Sequence, residues 1–319
     1  MGRLLKKDKP EDLPTKEINL GEKIKRFIFP SYVAGLSIKK WMMKKSVRSK
    51  IIVLFLVFFM IGMGAFAQIP QRIISLAPSL TKELVLLGLE DRIIGITNYC
   101  LIPNKEKYQI VASAVDVNLE IVITLKPDLV LATSLSKPES LEILINAGIN
   151  VQYLKLPTSF VEINSQFIEI GKMCGVETIA QKIVSSQEIK MGELLSKVKN
   201  IEKPRMFFEI GTNPLWCVIP NTFMDDFISM SGGRNIAHDM DNGAVSRESV
   251  LIRDPEIIII ATMGNIGEEE VKVWQNYAHL SAVKNDKILV IDSDLACSPT
   301  PVHFVETLEA IIHFIYKSE

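Results

Sequence analysis

The sequence predicts an α/β protein built as two lobes joined by a long helix. Short β-branched runs alternate with amphipathic stretches in both halves of the chain, Phe160–Lys199 between them is almost all helical in pattern, and one local motif occurs once in each half.

From Arg72 the elements follow in order. Arg72–Leu76 is a predicted strand and Ser79–Leu87 a helix closed by Gly88, which can take the left-handed turn that ends helices. Ile93–Thr97 is the next strand, Leu119–Leu125 a short helix behind Asn118, Leu129–Thr133 a buried strand, Pro138–Ala147 a helix and Val151–Leu154 a strand. Such alternation implies a mainly parallel sheet with helices on its faces. Phe160–Lys199 is broken only at Gly175 and stops before Pro204. Its second half, Glu177–Asn200, reaches about 36 Å at 1.5 Å per residue, enough to bridge two lobes. Beyond Pro204 the alternation resumes, with strands at Arg205–Ile210, Ile257–Ala261 and Ile288–Ile291 and helices at Thr222–Met230, Arg247–Arg253, Glu268–Asn276 and Pro301–Tyr316. The expected division is a precursor segment 1–67, an N-terminal α/β lobe 68–158, a connecting helical segment 159–203 and a C-terminal α/β lobe 204–319.

The repeated motif is the most informative feature. Glu120, six residues, Pro127-Asp128 and Leu129-Val130-Leu131 are echoed by Glu248, six residues, Pro255-Glu256 and Ile257-Ile258-Ile259. In each copy a glutamate opens a short helix, a proline ends it and an apolar strand begins, with Asn118 and Ser246 as the expected caps. The helix dipole alone favours a glutamate in a first turn, by about 0.3–1 kcal/mol. A matched pair in equivalent units suggests more, a pseudo-two-fold arrangement suited to a two-fold symmetric partner.

Charge is unevenly spread along the chain. Residues 1–67 hold 14 Lys/Arg and 5 Asp/Glu, which leaves Gln68–Glu319 with 22 basic and 32 acidic residues, a formal charge of −10. Such a body argues against nucleic acid or anionic lipid as partner. The basic excess precedes an apolar run, Ile51–Phe66, that ends in Ala65-Phe66-Ala67. That order is expected of a signal peptide cleaved near Ala67, with the mature protein in the periplasm and translation starting at Met42 or Met43. The run falls short of the roughly 20 residues that span a bilayer comfortably. Retention as an uncleaved anchor is the alternative. No cysteine directly follows the run, so no lipid-attachment site is expected.

Cys100, Cys174, Cys217 and Cys297 lie too far apart for a C-x-x-C knuckle, and export would permit disulfides without assigning them. His238, His279, His303 and His313 form no close cluster. No H-E-x-x-H, G-x-S-x-G or phosphate-loop pattern occurs in the predicted mature chain. No catalytic residue, protein-bound metal or resident cofactor is expected, and the chain is not expected to be an enzyme.

Taken in order, Arg72-Ile73-Ile74-Ser75-Leu76-Ala77-Pro78-Ser79, Gly95–Cys100, Asn118-Leu119-Glu120, Lys126–Val130, the long middle helix, Ser231-Gly232-Gly233-Arg234-Asn235 and Val245-Ser246-Arg247-Glu248 resemble the helical-backbone periplasmic binding proteins for cobalamin, ferric siderophores and haem. The resemblance spans Arg72–Phe314. It implies two Rossmann-like lobes bridged by a long α-helix, with the ligand in a cleft between them. It implies two partners, a metal chelate and the permease dimer of an ABC importer, with Glu120 and Glu248 pairing with arginines on the two permease subunits.

Within the implied cleft, the predicted loops after strands carry Tyr99, Trp216 and Asp294 as candidate ligand-binding residues, the aromatics suited to stacking on a planar or apolar chelate. The bland alternatives are loop packing for the aromatics and a turn or cap for Asp294. Cys100, Cys217 and Cys297 fall on predicted cleft loops too, where thiolate metal ligation or a cleft-edge disulfide is conceivable and free or paired structural cysteines are expected. The cobalamin binder has tryptophans six residues before each docking glutamate, where this chain has Ala114 and Asn242, and an aromatic after the aspartate, where this chain has Leu295. The cargo is therefore left open. Two competing readings are a metallocofactor scaffold or enzyme of the same fold and a membrane-tethered sensor.

Overall fold

The computed structural model describes residues 69–113, 116–198, 203–261 and 266–316. The expected signal segment, with Met42, Met43 and Ala67, lies outside them, as does Ala114. Ile69–Glu319 pack as one compact unit.

The first lobe is a parallel five-stranded sheet of β1 (Ile73–Ser75), β2 (Ile93–Thr97), β3 (Gln109–Ala112), β4 (Leu129–Ala132) and β5 (Val151–Tyr153), in the order β3-β2-β1-β4-β5. Its central strands are buried along their whole length, as parallel strands covered on both faces must be. Alternation sends Ile73, Leu129 and Leu131 into one core with Leu80 and Leu84 of α1 (Pro78–Leu86). Ile74, Val130 and Ala132 enter another with Val122 of α2 (Leu119–Leu125) and Leu141 and Leu144 of α3 (Pro138–Asn146). Two helices follow, α4 (Phe160–Met173) and α5 (Glu177–Val198).

The second lobe holds β6 (Arg205–Thr212), β7 (Leu215–Cys217), β8 (Arg234–Asn235), β9 (Ile257–Ile260) and β10 (Ile288–Val290). The sheet order is β10-β9-β6-β7, with β8 also on β6, and only the β6–β7 hairpin is antiparallel among these pairings. Its helices are α6 (Phe223–Met230), α7 (Arg247–Arg253), α8 (Ile266–Gln275), α9 (Ser281–Lys284), α10 (Ser293–Ala296) and α11 (Pro301–Tyr316). Met206, Phe208, Ile257 and Ile259 pack on one side of this sheet, and Phe207, Ile258 and Ile260 pack with Trp274 on the other.

The connection works through one stripe of α5. Its buried residues Ala180, Val184, Gln187, Met191 and Leu194 recur at steps of four and three, the spacing of a single helix face. Ala180 and Val184 join the core of the first lobe, while Met191 and Leu194 join that of the second. Helix α4 divides the same way, with Phe167 and Ile170 in the first core and Phe160 and Ile163 in the second. Its 22 residues make α5 about 33 Å long. Gly175, at φ 75°, makes the left-handed turn between the two helices. Gly171 lets them approach, since a Cβ there would lie 2.6 Å from that of Ala180. Among the described residues no helix is long and apolar enough to cross a membrane.

Candidate functional site

Between the lobes lie two adjoining cavities of about 720 Å³ and about 660 Å³, which share Pro78, Ile210, Cys297 and Ser298 as lining residues. The first lobe contributes residues that follow the carboxyl ends of its strands, among them Pro78, Ser79, Asn98, Tyr99, Leu135 and Leu156. Ligand clefts of open α/β sheets form at those ends. The second lobe contributes the β6–β7 hairpin, residues 218–224, Asp241–Gly243 and Asp292–Pro299.

Tyr99 sits in the turn after β2, half exposed, and lines the smaller cavity. Trp216 lines the larger one, but it belongs to strand β7 and not to a loop as the sequence suggested. Pairing with β6 fixes it as a wall of the cleft, and the isolated bridge to Ala244 ties that wall to the chain leading into α7. The indole rests against Gly243, where a Cβ would stand 2.4 Å from its Nε1. Asp294 also faces the cleft, from α10. Its carboxylate is engaged by Lys82 Nζ of the other lobe at 2.7 Å, and the same ammonium donates to its backbone carbonyl. The Asp294 carboxylate thus faces the cleft as half of an ion pair, and the cap of α10 is Asp292, whose Oδ1 accepts from Asp294 N at 2.8 Å.

Lys82 was not foreseen. The signal available was the polar pair Lys82-Glu83 inside the buried run Leu80–Leu84 of α1. Polar side chains on the buried face of a helix imply a partner, which here comes from 212 residues away. Beside it, burial pushes the Glu83 carboxyl well above its ordinary range.

All four cysteines are free thiols. Cys100 turns away from the cleft into the core of the first lobe, with Sγ 3.1 Å from Thr81 Oγ1 and 3.2 Å from Thr97 Oγ1. Cys217 and Cys297 line the larger cavity, and burial pushes the Cys217 thiol up to about 11, which disfavours the thiolate a metal would need. Among the described residues no group of three or more His, Cys, Asp or Glu could hold a metal ion.

Glu120 and Glu248 are both exposed, each in the first turn of a seven-residue helix. Asn118 Oδ1 accepts from Ile121 N at 3.1 Å, and Ser246 Oγ accepts from Ser249 N at 3.2 Å, so both predicted caps form. The Glu248 carboxyl is held below its usual range by its own backbone N–H and the Ser246 hydroxyl. Each helix ends on a left-handed residue, Lys126 at φ 46° and Asp254 at φ 44°. The acid after the proline then reaches back to the first strand of its lobe. Asp128 Oδ2 accepts from Gln71 N and Arg72 N at 2.9 and 3.0 Å, and Glu256 Oε2 from Arg205 N at 2.8 Å.

Beneath α7 lies a buried charged cluster. Arg247 pairs with Glu270 and covers the Trp274 ring at 4.6 Å, while Trp274 Nε1 donates to Glu209 Oε2 at 2.8 Å. Burial, assisted by the Glu270 carboxylate, pushes the Glu209 carboxyl up to about 8.

A cleft between two α/β lobes that a helix holds together, with a matched capped glutamate in each lobe, is an architecture suited to binding a ligand. Residues 73–295 match the periplasmic binding protein family, and the chain belongs to it. It is 29% identical over 255 residues to an uncharacterized ABC transporter substrate-binding lipoprotein, YvrC, of Bacillus subtilis, covering 77% of this chain and 80% of that protein. It is 34% identical over 214 residues to the vitamin B12-binding protein of Photorhabdus laumondii, covering 66% and 76%. The structure of a possible iron-binding, periplasmic solute-binding protein from Staphylococcus epidermidis aligns with a TM-score of 0.68 at 28% identity, covering 78% of this chain and all of that one. These relatives are binding and transport proteins, not enzymes.

Proposed function

We propose that this chain is the periplasmic substrate-binding component of an ABC importer, capturing a metal chelate in the interlobe cleft and docking on the permease dimer through Glu120 and Glu248. The observation that carries this reading is the equivalence of the two glutamates: same helix length, same type of cap, same left-handed exit and same acid clamp, once in each lobe. A two-fold symmetric permease presents each site twice, and a monomer can meet both copies only with a duplicated feature of this kind. The relatives support a transport role, and their names supply vitamin B12 and iron as examples of cargo. Corrinoids, ferric siderophores and haem are the chelate classes proposed. Tyr99 and Trp216 would stack on the chelate from opposite lobes, with the Asp294–Lys82 pair between the lobes at its edge.

Residues 1–67 would direct export, with cleavage near Ala67 releasing the body into the periplasm; N-terminal sequencing of the exported protein tests this.

The docking reading is tested by Glu120→Ala combined with Glu248→Ala. Truncating a buried charge partner at an interface costs roughly 2–5 kcal/mol, so uptake should collapse while affinity for the chelate stays at its wild-type value. Unimpaired uptake in the double variant would remove docking through these glutamates.

A further inference from the structure

The two cavities carry a specific electrostatic character. Their lining residues include Asp241, Asp292 and Asp294 and no lysine or arginine. The nearby cations are already committed: Lys82 to Asp294, and Lys105 to the Asn98 carbonyl at 2.6 Å. Neither Asp241 nor Asp292 takes part in an ion pair seen among the described residues. The body around them carries a formal −10 from Gln68 onward, so the field at the mouth adds to the local charge rather than offsetting it.

The cleft offers hydrogen bonds without positive charge. Carboxamides line it: Asn98 and Asn221 make no side-chain hydrogen bond among the described residues, and Asn242 uses Oδ1 on Ala244 N and leaves its amide hydrogens. Apolar walls, such as Ile219, Phe223 and Met224, complete the larger cavity. Each cavity falls in the roughly 300–1,000 Å³ range of small-molecule sites.

We infer that the cleft selects metal chelates of neutral or positive net charge whose rim carries amides or hydroxamates, and rejects chelates bearing peripheral carboxylates. A carboxylate in this cleft loses water and meets aspartates in place of the arginine fork or lysine that would compensate it. Amide-fringed corrinoids and hydroxamate iron chelates share the accepted chemistry. Haem, with its propionates, and ferric catecholates do not. The inference rests on the reading of the cleft as a chelate site.

Matched pairs test it, with quenching of tryptophan emission by the purified protein as the readout. The pairs are cyanocobalamin against its monocarboxylic hydrolysis products, and ferrioxamine B against its N-succinyl derivative, with haemin as an anionic tetrapyrrole. At least one uncharged or cationic member should bind, its carboxylated counterpart about tenfold or more weaker, and haemin weaker than either. Which pair responds distinguishes a corrinoid from a hydroxamate cargo. Asp241→Asn should narrow the gap within the responding pair. Equal or tighter binding of the carboxylated member, or of haemin, overturns the charge selection and leaves the carrier function standing. Failure of every chelate to bind overturns the chelate reading itself.

Discussion

Arg72 and Arg205 make the same bonds in different lobes. Arg72 Nε donates to the Lys126 carbonyl at 3.2 Å and Arg205 Nε to the Asp254 carbonyl at 2.8 Å, each at the left-handed residue that ends the helix carrying an exposed glutamate. The carbonyls of both arginines accept from the backbone of the acid after the proline, at 2.8 Å in each case. The glutamate helices are thus fastened to the first strand of each lobe by equivalent clamps. Arg205, also within 3.4 Å of Glu256 and 3.2 Å of Asp254, is the better buried of the two. Arg205→Ala should destabilise by about 2 kcal/mol, the scale of hydrogen bonds to charged groups, and Arg72→Ala by less, as read by urea unfolding.

Gly243→Ala should disturb the cleft wall selectively. The new methyl would overlap Trp216 Nε1 at 2.4 Å and the Cys217 carbonyl at 2.6 Å, so the indole must move outward. Overpacking of this sort costs about 1–3 kcal/mol. The emission maximum should shift to the red in the ligand-free protein, because Trp274 is buried and Trp216 is 42% exposed. An unshifted spectrum would show that Trp216 does not rest on this glycine.

The Lys82–Asp294 pair should respond asymmetrically. Lys82 has 8% of its side chain exposed and Asp294 29%. Asp294→Asn leaves the buried ammonium without its counter-charge but still donating to the carbonyl of residue 294, and should cost about 2–3 kcal/mol; Lys82→Met leaves a carboxylate that still reaches water and should cost less. The double variant should recover part of the loss. Thermal unfolding of the four proteins checks the order.

Stability should fall as pH rises through Glu209. Its folded carboxyl binds its proton up to about 8, whereas the unfolded group releases it near the ordinary 4.5. Between those values the folded state holds more protons, so the contribution is complete below 4.5 and lost on passing 8, with a limiting slope of about 1.4 kcal/mol per pH unit. Glu209→Gln, which keeps an acceptor for Trp274 Nε1, should flatten that slope in unfolding measurements across pH 5–8.

What the sequence made legible was local. Cap, glutamate, proline and apolar strand sit close together along the chain, so Glu120 and Glu248 could be matched without long-range information, and Leu119–Leu125 and Arg247–Arg253 form as expected. Strand β3 escaped because its Gln109 and Ile110 are exposed at the sheet edge, which removes the continuous apolar run that marks β4. Strand β7 is three residues that exist only by pairing with β6, and Trp216 was therefore placed on a loop. Lys82 and Asp294 meet only when two lobes assemble, and nothing in the neighbourhood of either residue encodes that meeting. Cys100 followed a strand, as cleft residues do, yet its side chain turned inward to two threonines.

The segment that runs from Asp241 through Gly243 to Glu248 joins cleft wall and exposed glutamate on one short length of chain, with Asn242 six residues before Glu248. In the other lobe the nearest described cleft residues, Leu101 and Leu135, are separated from Glu120 by whole strands. The two glutamate helices are therefore twins in shape and unequal in their connection along the chain to the cleft. If the proposed permease docks on both, a short backbone path ties the cleft to one contact and a long path ties it to the other.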